Sequence, residues 1–97
     1  MIFQSIKTSQ LNKNTVNEIL YLKDSHWKYG IKSQLNWYKK FTMDDDIHNL
    51  LLINDKIMGY TSLGTRSFEV IDSKKNKKKF KYLLFTTLVL HKKVRNF

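Results

Sequence analysis

The residues best suited to chemistry lie near the carboxyl end of the chain, where a strand-like segment turns basic. Residues 82–90 carry no charge and no Gly, and aromatic, Leu, Val and Thr side chains dominate them, as in a buried strand. His91, Lys92, Lys93 and Arg95 follow. Because α/β folds bind anionic ligands beyond the carboxyl ends of their strands, this pattern predicts an anion-binding turn.

Residues 88–97 resemble the opening of the acetyl-CoA motif in the GNAT N-acetyltransferases. In that family, a strand ending in Leu-x-Val leads through a short turn to Arg or Gln, then to x-x-Gly-x-Gly/Ala and a helix. Leu88, Leu90 and Arg95 match this motif, and His91 suits the position after the strand. Asn96 stands where many members have Gly, and the sequence ends before the two Gly positions that follow.

The resemblance implies an N-acetyltransferase that transfers the acetyl group of acetyl-CoA to an amine of an unknown acceptor. Backbone groups of the strand end would hold the acetyl and pantetheine end, and those of the turn would begin a pyrophosphate cradle. The cofactor contacts implied in this way are Leu88, Val89, Leu90, Arg95, Asn96 and Phe97. Because the Gly loop and its helix are needed to complete the cradle, we expect these 97 residues alone to bind acetyl-CoA poorly.

The residues alone do not identify a general base. The catalytic candidates are His26 and Thr86, although a Thr hydroxyl cannot take a proton near neutral pH. His26 lies beside Trp27 and Tyr29, in a segment that often walls the acceptor site in GNAT proteins, so these two aromatics are the implied substrate contacts. We interpret His48, which lies in a predicted strand, as a structural residue with its hydrogen bonds satisfied.

The sequence does not predict a metal site. His26, His48 and His91 are dispersed and lack ligand spacing, and the chain has no Cys. Residues 44–46 are three consecutive Asp, but the ligand spacing of a calcium loop does not follow them, so they predict a solvated loop. Acetyl-CoA is therefore the one cosubstrate that the resemblance implies.

The first half of the chain predicts a strand followed by two helices. Residues 2–6 read as a short strand. Thr15 and Glu18 have capping-box spacing, which predicts a helix from about Thr15, and Ser33 is suited to cap a second helix. Trp37 and Phe41 share one face of that second helix, and we interpret both as core residues.

The second half predicts three more strands. Residues 47–53 and 57–63 flank a tight turn at residues 54–56, the second of these strands extends towards residue 71, and residues 80–90 pair back as the last strand. Gly59, inside a strand, predicts a bulge or a close backbone approach. The predicted fold class is α+β: an α/β sandwich with a mostly antiparallel sheet, in the order β-α-α-β-β-β with both helices on one face. This order resembles the amino-terminal half of a GNAT domain.

Length and composition predict a single small domain over residues 1–97. The resemblance implies that this domain is incomplete, since the helix and strand that follow the motif in the family would lie past residue 97. The longest uncharged run, residues 82–90, is far shorter than the ~20 residues that a membrane helix needs. The first seven residues do not have the pattern of a signal peptide. We therefore expect a cytoplasmic protein without membrane contact.

The net charge of +10 is concentrated in the last quarter of the chain. Residues 1–72 hold nine Lys/Arg and eight Asp/Glu, whereas residues 73–97 hold nine Lys/Arg and no acid. Five of these lysines lie in residues 74–79, which we interpret as a solvated hairpin loop. The unpaired edge of the last strand predicts a homodimer.

Two other functional classes remain open from the sequence. One is a small basic nucleic-acid-binding module that uses the lysine run, and the other is a non-catalytic interaction domain. Nucleic acid is the less favoured partner because Tyr82 and Phe85 lie inside an apolar strand instead of alternating with the charges on one face.

Overall fold

The computed structural model describes residues 1–85 and 88–94 of the protein. Its elements, in chain order, are β1 (Ile2–Lys7), a 3-10 turn (Thr8–Gln10), α1 (Lys13–His26), α2 (Ile31–Phe41), β2 (Ile47–Ile53), β3 (Lys56–Ile71), β4 (Lys77–Phe85) and β5 (Val89–Leu90). The predicted α+β class with an antiparallel sheet and two helices is confirmed. The predicted order β-α-α-β-β-β is wrong at its end, because a fifth strand follows the fourth.

The sheet runs in the order β1-β2-β3-β4 and is antiparallel at each described pairing. A two-residue turn joins β2 to β3, and its residues Asn54 and Asp55 have positive φ angles of 51° and 64°. Positive φ at both positions matches the right-handed twist of the flanking strands, and Asn and Asp tolerate it better than most residues. The predicted tight hairpin is therefore confirmed.

The core lies between α1 and one face of the sheet. α2 packs beside α1, and its Tyr38 ring lies 6.1 Å from the ring of His48 on that same face, so both helices cover one side as predicted. Each fully buried aliphatic side chain contributes roughly 1.5–3 kcal/mol of hydrophobic stabilisation. The buried cluster consists of Ile19, Leu22, Leu50, Ile57, Tyr60 and Val89.

The expected last strand is divided into β4 and β5, which lie along the same edge of β3. β4 pairs with the distal part of β3, whereas β5 pairs with Gly59 and Tyr60. The prediction of one buried strand over residues 82–90 is therefore wrong. β4 is exposed along its whole length because it lies beyond the helices, and Val89, which α1 covers, is 1% exposed.

The predicted capping box at the start of the first helix is also wrong. α1 begins at Lys13, because the Asn12 side chain caps it by accepting a hydrogen bond from Thr15 N at 2.8 Å. Glu18 does not cap the helix, and its Oε2 accepts a hydrogen bond from Ile57 N at 2.7 Å. This contact fastens the middle of α1 to the first residues of β3.

Gly30, and not Ser33, precedes the second helix. Gly30 has a φ angle of 90°, which favours glycine, and its carbonyl accepts from Gln34 N at 3.0 Å. Ser33 therefore lies inside the first turn of α2. Neither helix of the described chain combines the length and apolar character needed to cross a membrane.

The lysine-rich segment is only partly a loop. Asp72 Oδ1 accepts hydrogen bonds from Lys74 N and Asn76 N, both at 2.9 Å, and so closes the turn at Asn76. Lys77 already belongs to β4, so three of the five lysines expected in a loop lie on an exposed strand.

Gly59 lies where two side chains approach the backbone of β3. The register between β2 and β3 shifts beside it, and a Cβ placed there would lie 3.1 Å from both Leu51 Cβ and Leu90 Cδ2. Such distances are tighter than ordinary carbon contacts, so the predicted bulge and close approach are confirmed.

We expect Gly59→Val to lower the free energy of unfolding by about 1–3 kcal/mol, because the new methyl groups must displace Leu51 and Leu90. Urea denaturation measures the change. Thr65→Val, on the exposed part of the same strand, is the control and should stay within about 0.5 kcal/mol of the wild type. Equal stability of all three proteins would show that Gly59 has room for a side chain.

Candidate active-site cleft

A cleft with a volume of about 760 Å³ opens between the two helices and the strands β3 and β4. It exists because α2 packs against α1 and is fastened to the sheet near its own carboxyl end, where Arg66 Nη2 donates to Phe41 O at 3.0 Å. Half of the sixteen residues in the described lining are aromatic or aliphatic. These side chains are Trp27, Tyr29, Trp37, Tyr38, Phe41, Tyr60, Leu84 and Phe85.

The connection between the helices forms one rim of the cleft and is held by side-chain hydrogen bonds. Asp24 Oδ1 accepts from Gly30 N at 2.7 Å, which closes the connection. The buried Gln34 side chain donates through Nε2 to Trp27 O at 2.8 Å. Trp27 and Tyr29 are therefore presented to the cleft from a connection of defined shape.

The structure separates the residues that the sequence grouped at an acceptor site. Trp27 and Tyr29 line the cleft, as their predicted role requires, and that role stays a prediction. His26 is exposed and outside the described lining, with its ring edge-on to Trp27 at 4.6 Å. Thr86, the other catalytic candidate, lies outside the described residues.

Trp37 and Phe41 form an open aromatic wall instead of the core that we predicted. Trp37 is 60% exposed and Phe41 is 45% exposed, and their ring centroids lie 4.2 Å apart. Their helical spacing correctly places them on one face, but that face of α2 borders the cleft and is not covered by the sheet.

Asp46 is buried, so the expectation of a solvated loop is wrong at this position. Its carboxylate receives both terminal nitrogens of Arg66, at 2.7 and 2.8 Å, and Oδ2 also accepts from Met43 N at 3.1 Å. Gly64 leaves the space for this pair, because a Cβ there would collide with Asp46 Oδ1. The Asp46 backbone oxygen accepts from Thr8 N at 3.0 Å.

A chain of hydrogen bonds, the first of them long, runs from the Asp46 backbone oxygen to the floor of the cleft. Thr8 Oγ1 lies 3.4 Å from Asp46 O and 2.7 Å from His48 Nε2. His48 Nδ1 lies 2.7 Å from the Tyr60 hydroxyl. His48 and Tyr60 are 1% and 4% exposed, so the imidazole reaches the cleft through the Tyr60 hydroxyl.

The direction of these hydrogen bonds is assigned from the Asp46 carbonyl oxygen, which has no proton to donate. Asp46 O can only accept, so the Thr8 hydroxyl donates to it and accepts from His48 Nε2–H. In a neutral imidazole, Nδ1 is then unprotonated and accepts from the Tyr60 hydroxyl. We assign this tautomer, in which the Tyr60 oxygen keeps two lone pairs and one of them is engaged with the Ser62 side chain.

Burial sets the protonation states of this chain. It lowers the pKa of His48, and the positive charge of Lys23 lowers it further, while Asp46 acts in the opposite direction. Burial raises the pKa of Tyr60 far above its usual value, although a hydrogen bond with the Ser62 side chain acts to lower it. Near neutral pH, the chain therefore holds a neutral imidazole and a protonated phenol.

The cleft residues that sequence reasoning missed share a structural cause. His48 was correctly interpreted as satisfied, but its partner Tyr60 lies twelve residues away on the next strand, and the diagonal contact depends on the register. Alternation along β2 and β3 could have placed both on the helix-covered face. The Asp46–Arg66 pair links residues twenty positions apart and left no local pattern.

The implied cofactor residues fall only in part on the described chain. Val89 and Leu90 form β5, and Leu88 is exposed immediately before it. Residues 92–94 turn, with Val94 N donating to His91 O at 2.9 Å, so the predicted basic turn is confirmed there. Arg95, Asn96 and Phe97 lie outside the described residues.

Lys92 and Lys93 are exposed, and their positive charges are opposite in sign to the phosphates of the implied cofactor. Within the described chain, β5 pairs with β3 alone.

The described residues contain no group of three side chains that could hold a metal ion. Comparison with protein-family models, curated proteins and solved structures finds no match.

We expect Asp46→Asn to lower the free energy of unfolding by about 1–3 kcal/mol near pH 7, because Arg66 keeps its charge and loses a buried anionic partner. The hydrogen bonds from Arg66 lower the pKa of Asp46 below its unfolded value. The stability from this carboxylate is therefore present above about pH 4, the unfolded pKa, and is lost as pH falls through the folded pKa.

Urea denaturation of both proteins between pH 7 and pH 2 measures this difference. The wild type should lose more stability than Asp46→Asn over the acid range, so the two curves converge. Asp45→Asn, an exposed neighbour, is the control and should follow the wild type. Parallel curves for the wild type and Asp46→Asn would contradict the assignment.

Proposed function

We propose that the protein is a cytoplasmic, acetyl-CoA-dependent N-acetyltransferase related to the GNAT family, or the amino-terminal half of one. The acceptor amine binds in the aromatic cleft, and the hydrogen-bonded pair of Tyr60 and His48 takes its proton. The observation that carries the proposal is this pair, since acetyl transfer to an amine needs a proton acceptor at the attacking nitrogen.

The arrangement of the elements supports the proposal. The cleft is lined by Leu84 and Phe85 at the end of β4, and β5 lies beyond them on the same edge of β3. β5 carries residues that the GNAT resemblance assigns to the cosubstrate. The acceptor cleft and the implied acetyl site therefore lie at successive points along one edge of the sheet, as a reaction between two bound molecules requires.

Tyr60 and His48 supply the proton transfer. The protonated amine of the acceptor donates to the Tyr60 oxygen, whose own proton already points to His48 Nδ1. As the ammonium proton moves to Tyr60, the Tyr60 proton moves to His48, and the phenol stays neutral throughout. The nearby Asp46 charge favours the imidazolium that forms.

The remaining bond changes balance without another reactant. The freed nitrogen lone pair forms a bond to the acetyl carbon, the carbon–sulfur bond breaks, and the second proton of the nitrogen goes to the departing thiolate. His48 then returns its proton to solvent through Tyr60. When bound, acetyl-CoA supplies the activated acetyl group, and the chain supplies position and proton transfer.

The direct test uses the protein expressed from its own gene. Calorimetry should show saturable binding of acetyl-CoA, and a panel of primary amines should release free CoA thiol in an amine-dependent reaction. Absence of saturable binding to either CoA or acetyl-CoA would overturn the proposal.

We expect Tyr60→Phe to reduce the rate of amine-dependent thiol release by roughly 100-fold or more, because it removes the oxygen that accepts the proton. Tyr21→Phe, on the exposed surface of α1, is the control and should retain the wild-type rate. Because the pKa of His48 is lowered, the acid limb of the rate profile should lie below about pH 6.5, the usual value for His. A Tyr60→Phe enzyme with the wild-type rate would exclude the relay.

A second candidate function is single-stranded nucleic-acid binding by the β3–β4 hairpin. Phe68, Phe80 and Tyr82 are each close to half exposed and share one face, with ring centroids 5.3 Å and 5.8 Å from Phe68. Alternation along β4 places Lys78 on that face as well. The sequence argued against nucleic acid because charges and aromatics did not alternate, and the hairpin brings them together.

Replacing the lysines of β4 distinguishes nucleic-acid binding from the proposed acetyltransferase function. We expect replacement of Lys77, Lys78, Lys79 and Lys81 by Gln to leave the circular dichroism spectrum unchanged, because β4 is exposed and like charges repel along it. If the hairpin binds nucleic acid, oligonucleotide affinity should fall steeply with salt in the wild type and nearly vanish in the variant. Oligonucleotide affinity that is absent or equal in both proteins would exclude this candidate.

β4 ends the sheet in the described chain, so the homodimer through this edge also stays a proposal. Sedimentation of the same lysine variant beside the wild type tests it, since removing like charges should strengthen such a dimer.

A further inference from the structure

Lys23 brings a positive charge to the cleft that no described carboxylate neutralises. It lies on α1, is half-buried and lines the cleft. Burial lowers the pKa of its ammonium group. Lys23 shares the lining with Tyr60, the hydrogen-bond partner of His48, and its charge lowers the pKa of His48.

The other charges of the described lining cancel each other. Arg66 and Asp46 form a two-pronged pair with both carboxylate oxygens occupied, and Asp46 also accepts from Met43 N. The Lys23 ammonium makes no ion pair with a described residue, and its backbone oxygen accepts only the helix-end bond from Trp27 N. The lining therefore carries one uncompensated positive charge, which disfavours polyamines and other acceptors with several positive charges.

The rest of the cleft suits a flat apolar body. Trp27, Trp37, Tyr38 and Phe41 present rings from the helix side, and Leu84 faces them from β4. Ring faces of this kind stack on aromatic groups and also attract an ammonium group. A ligand that satisfies both the rings and Lys23 has an apolar body with an anionic group attached.

We propose that the acceptor is an aromatic or similarly apolar amine that carries a carboxylate, and that Lys23 binds this carboxylate while the amine meets Tyr60. The identification of this ligand as the acceptor rests on the proposed function, whereas the anion subsite rests on the geometry of the cleft. An aromatic amino acid is the simplest member of the class.

Binding of the carboxylate also affects the proton acceptor. The positive charge of Lys23 makes the imidazole of His48 harder to protonate, and a bound anion offsets that charge. Asp46, Tyr38 and Tyr60 complete the titratable groups near the imidazole in the described chain. The correct acceptor therefore makes His48 a better base, whereas an amine without a carboxylate does not.

The two tryptophans of the protein, Trp27 and Trp37, both line the cleft, so intrinsic fluorescence reports binding there directly. The probes are 3-phenylpropionate and its neutral amide, which share one apolar body and differ in the anionic group. Titrations are made without acetyl-CoA. Phosphate and CoA are titrated separately, because an anion at Lys23 could also come from a phosphorylated cosubstrate.

In the wild type, we expect the carboxylate to bind about tenfold more tightly than the amide, which is the range of one charged hydrogen bond. Lys23→Gln should abolish this preference and leave amide binding unchanged, whereas Lys23→Arg should keep it. Lys13→Gln, at the exposed start of the same helix, is the matched control and should behave as the wild type.

Equal binding of acid and amide by the wild type, or an acid preference that survives Lys23→Gln, would overturn the anion subsite. Phosphate or CoA that competes for Lys23 more strongly than 3-phenylpropionate would assign the subsite to the cosubstrate and overturn the acceptor class. The proposed function fails separately, through absence of saturable CoA binding, because the probe titrations contain no acetyl donor.

Discussion

The structure depends on Asp46, which joins three parts of the protein at one buried position. Its carboxylate holds Arg66 of β3 and Met43 N at the end of the helical layer, and its backbone oxygen holds Thr8 N after β1. Arg66 in turn holds the last carbonyl of α2. α2 is therefore attached to the sheet at one end and to α1 along its side, and the space left between α2 and β3 is the cleft.

The same position links structure to chemistry. Asp46 O also accepts from the Thr8 hydroxyl, and this direction assigns His48 the tautomer whose unprotonated Nδ1 faces Tyr60. The Asp46 carboxylate is occupied by Arg66 and Met43 N. Under the proposed function, the positive charge of an acceptor would therefore meet the Tyr60 oxygen or the aromatic rings, and Lys23 would bind an anion.

Short sequence patterns predicted the features of the fold that neighbouring residues determine. The turn at Asn54 and Asp55 was predictable because few residues accept positive φ at two successive positions. The start of α1 was mispredicted because Asn12, three residues before Thr15, caps the helix by accepting from Thr15 N, which places Thr15 inside the first turn. Helical spacing revealed one face for Trp37 but could not show what covers that face.

Non-local features were the ones that the sequence could not supply. Residues 82–85 of β4 have the composition of a buried strand, yet their exposure depends on where the helices end above β3. The contact of His48 with Tyr60 needs the β2–β3 register, and the ion pair of Asp46 needs the space that Gly64 leaves. Much of the cleft is thus built from pairs that are distant in the chain and adjacent across strands.

The state of the His48 imidazole tests this account most directly. Nitrogen-15 NMR of the histidine side chains, with His48 assigned by comparison with His48→Gln, reports which ring nitrogen carries the proton and how the ring titrates. The account predicts a proton on Nε2, a bare Nδ1 and a pKa below the usual value of about 6.5. A proton on Nδ1 at neutral pH, or an imidazole that titrates like a free histidine, would contradict it.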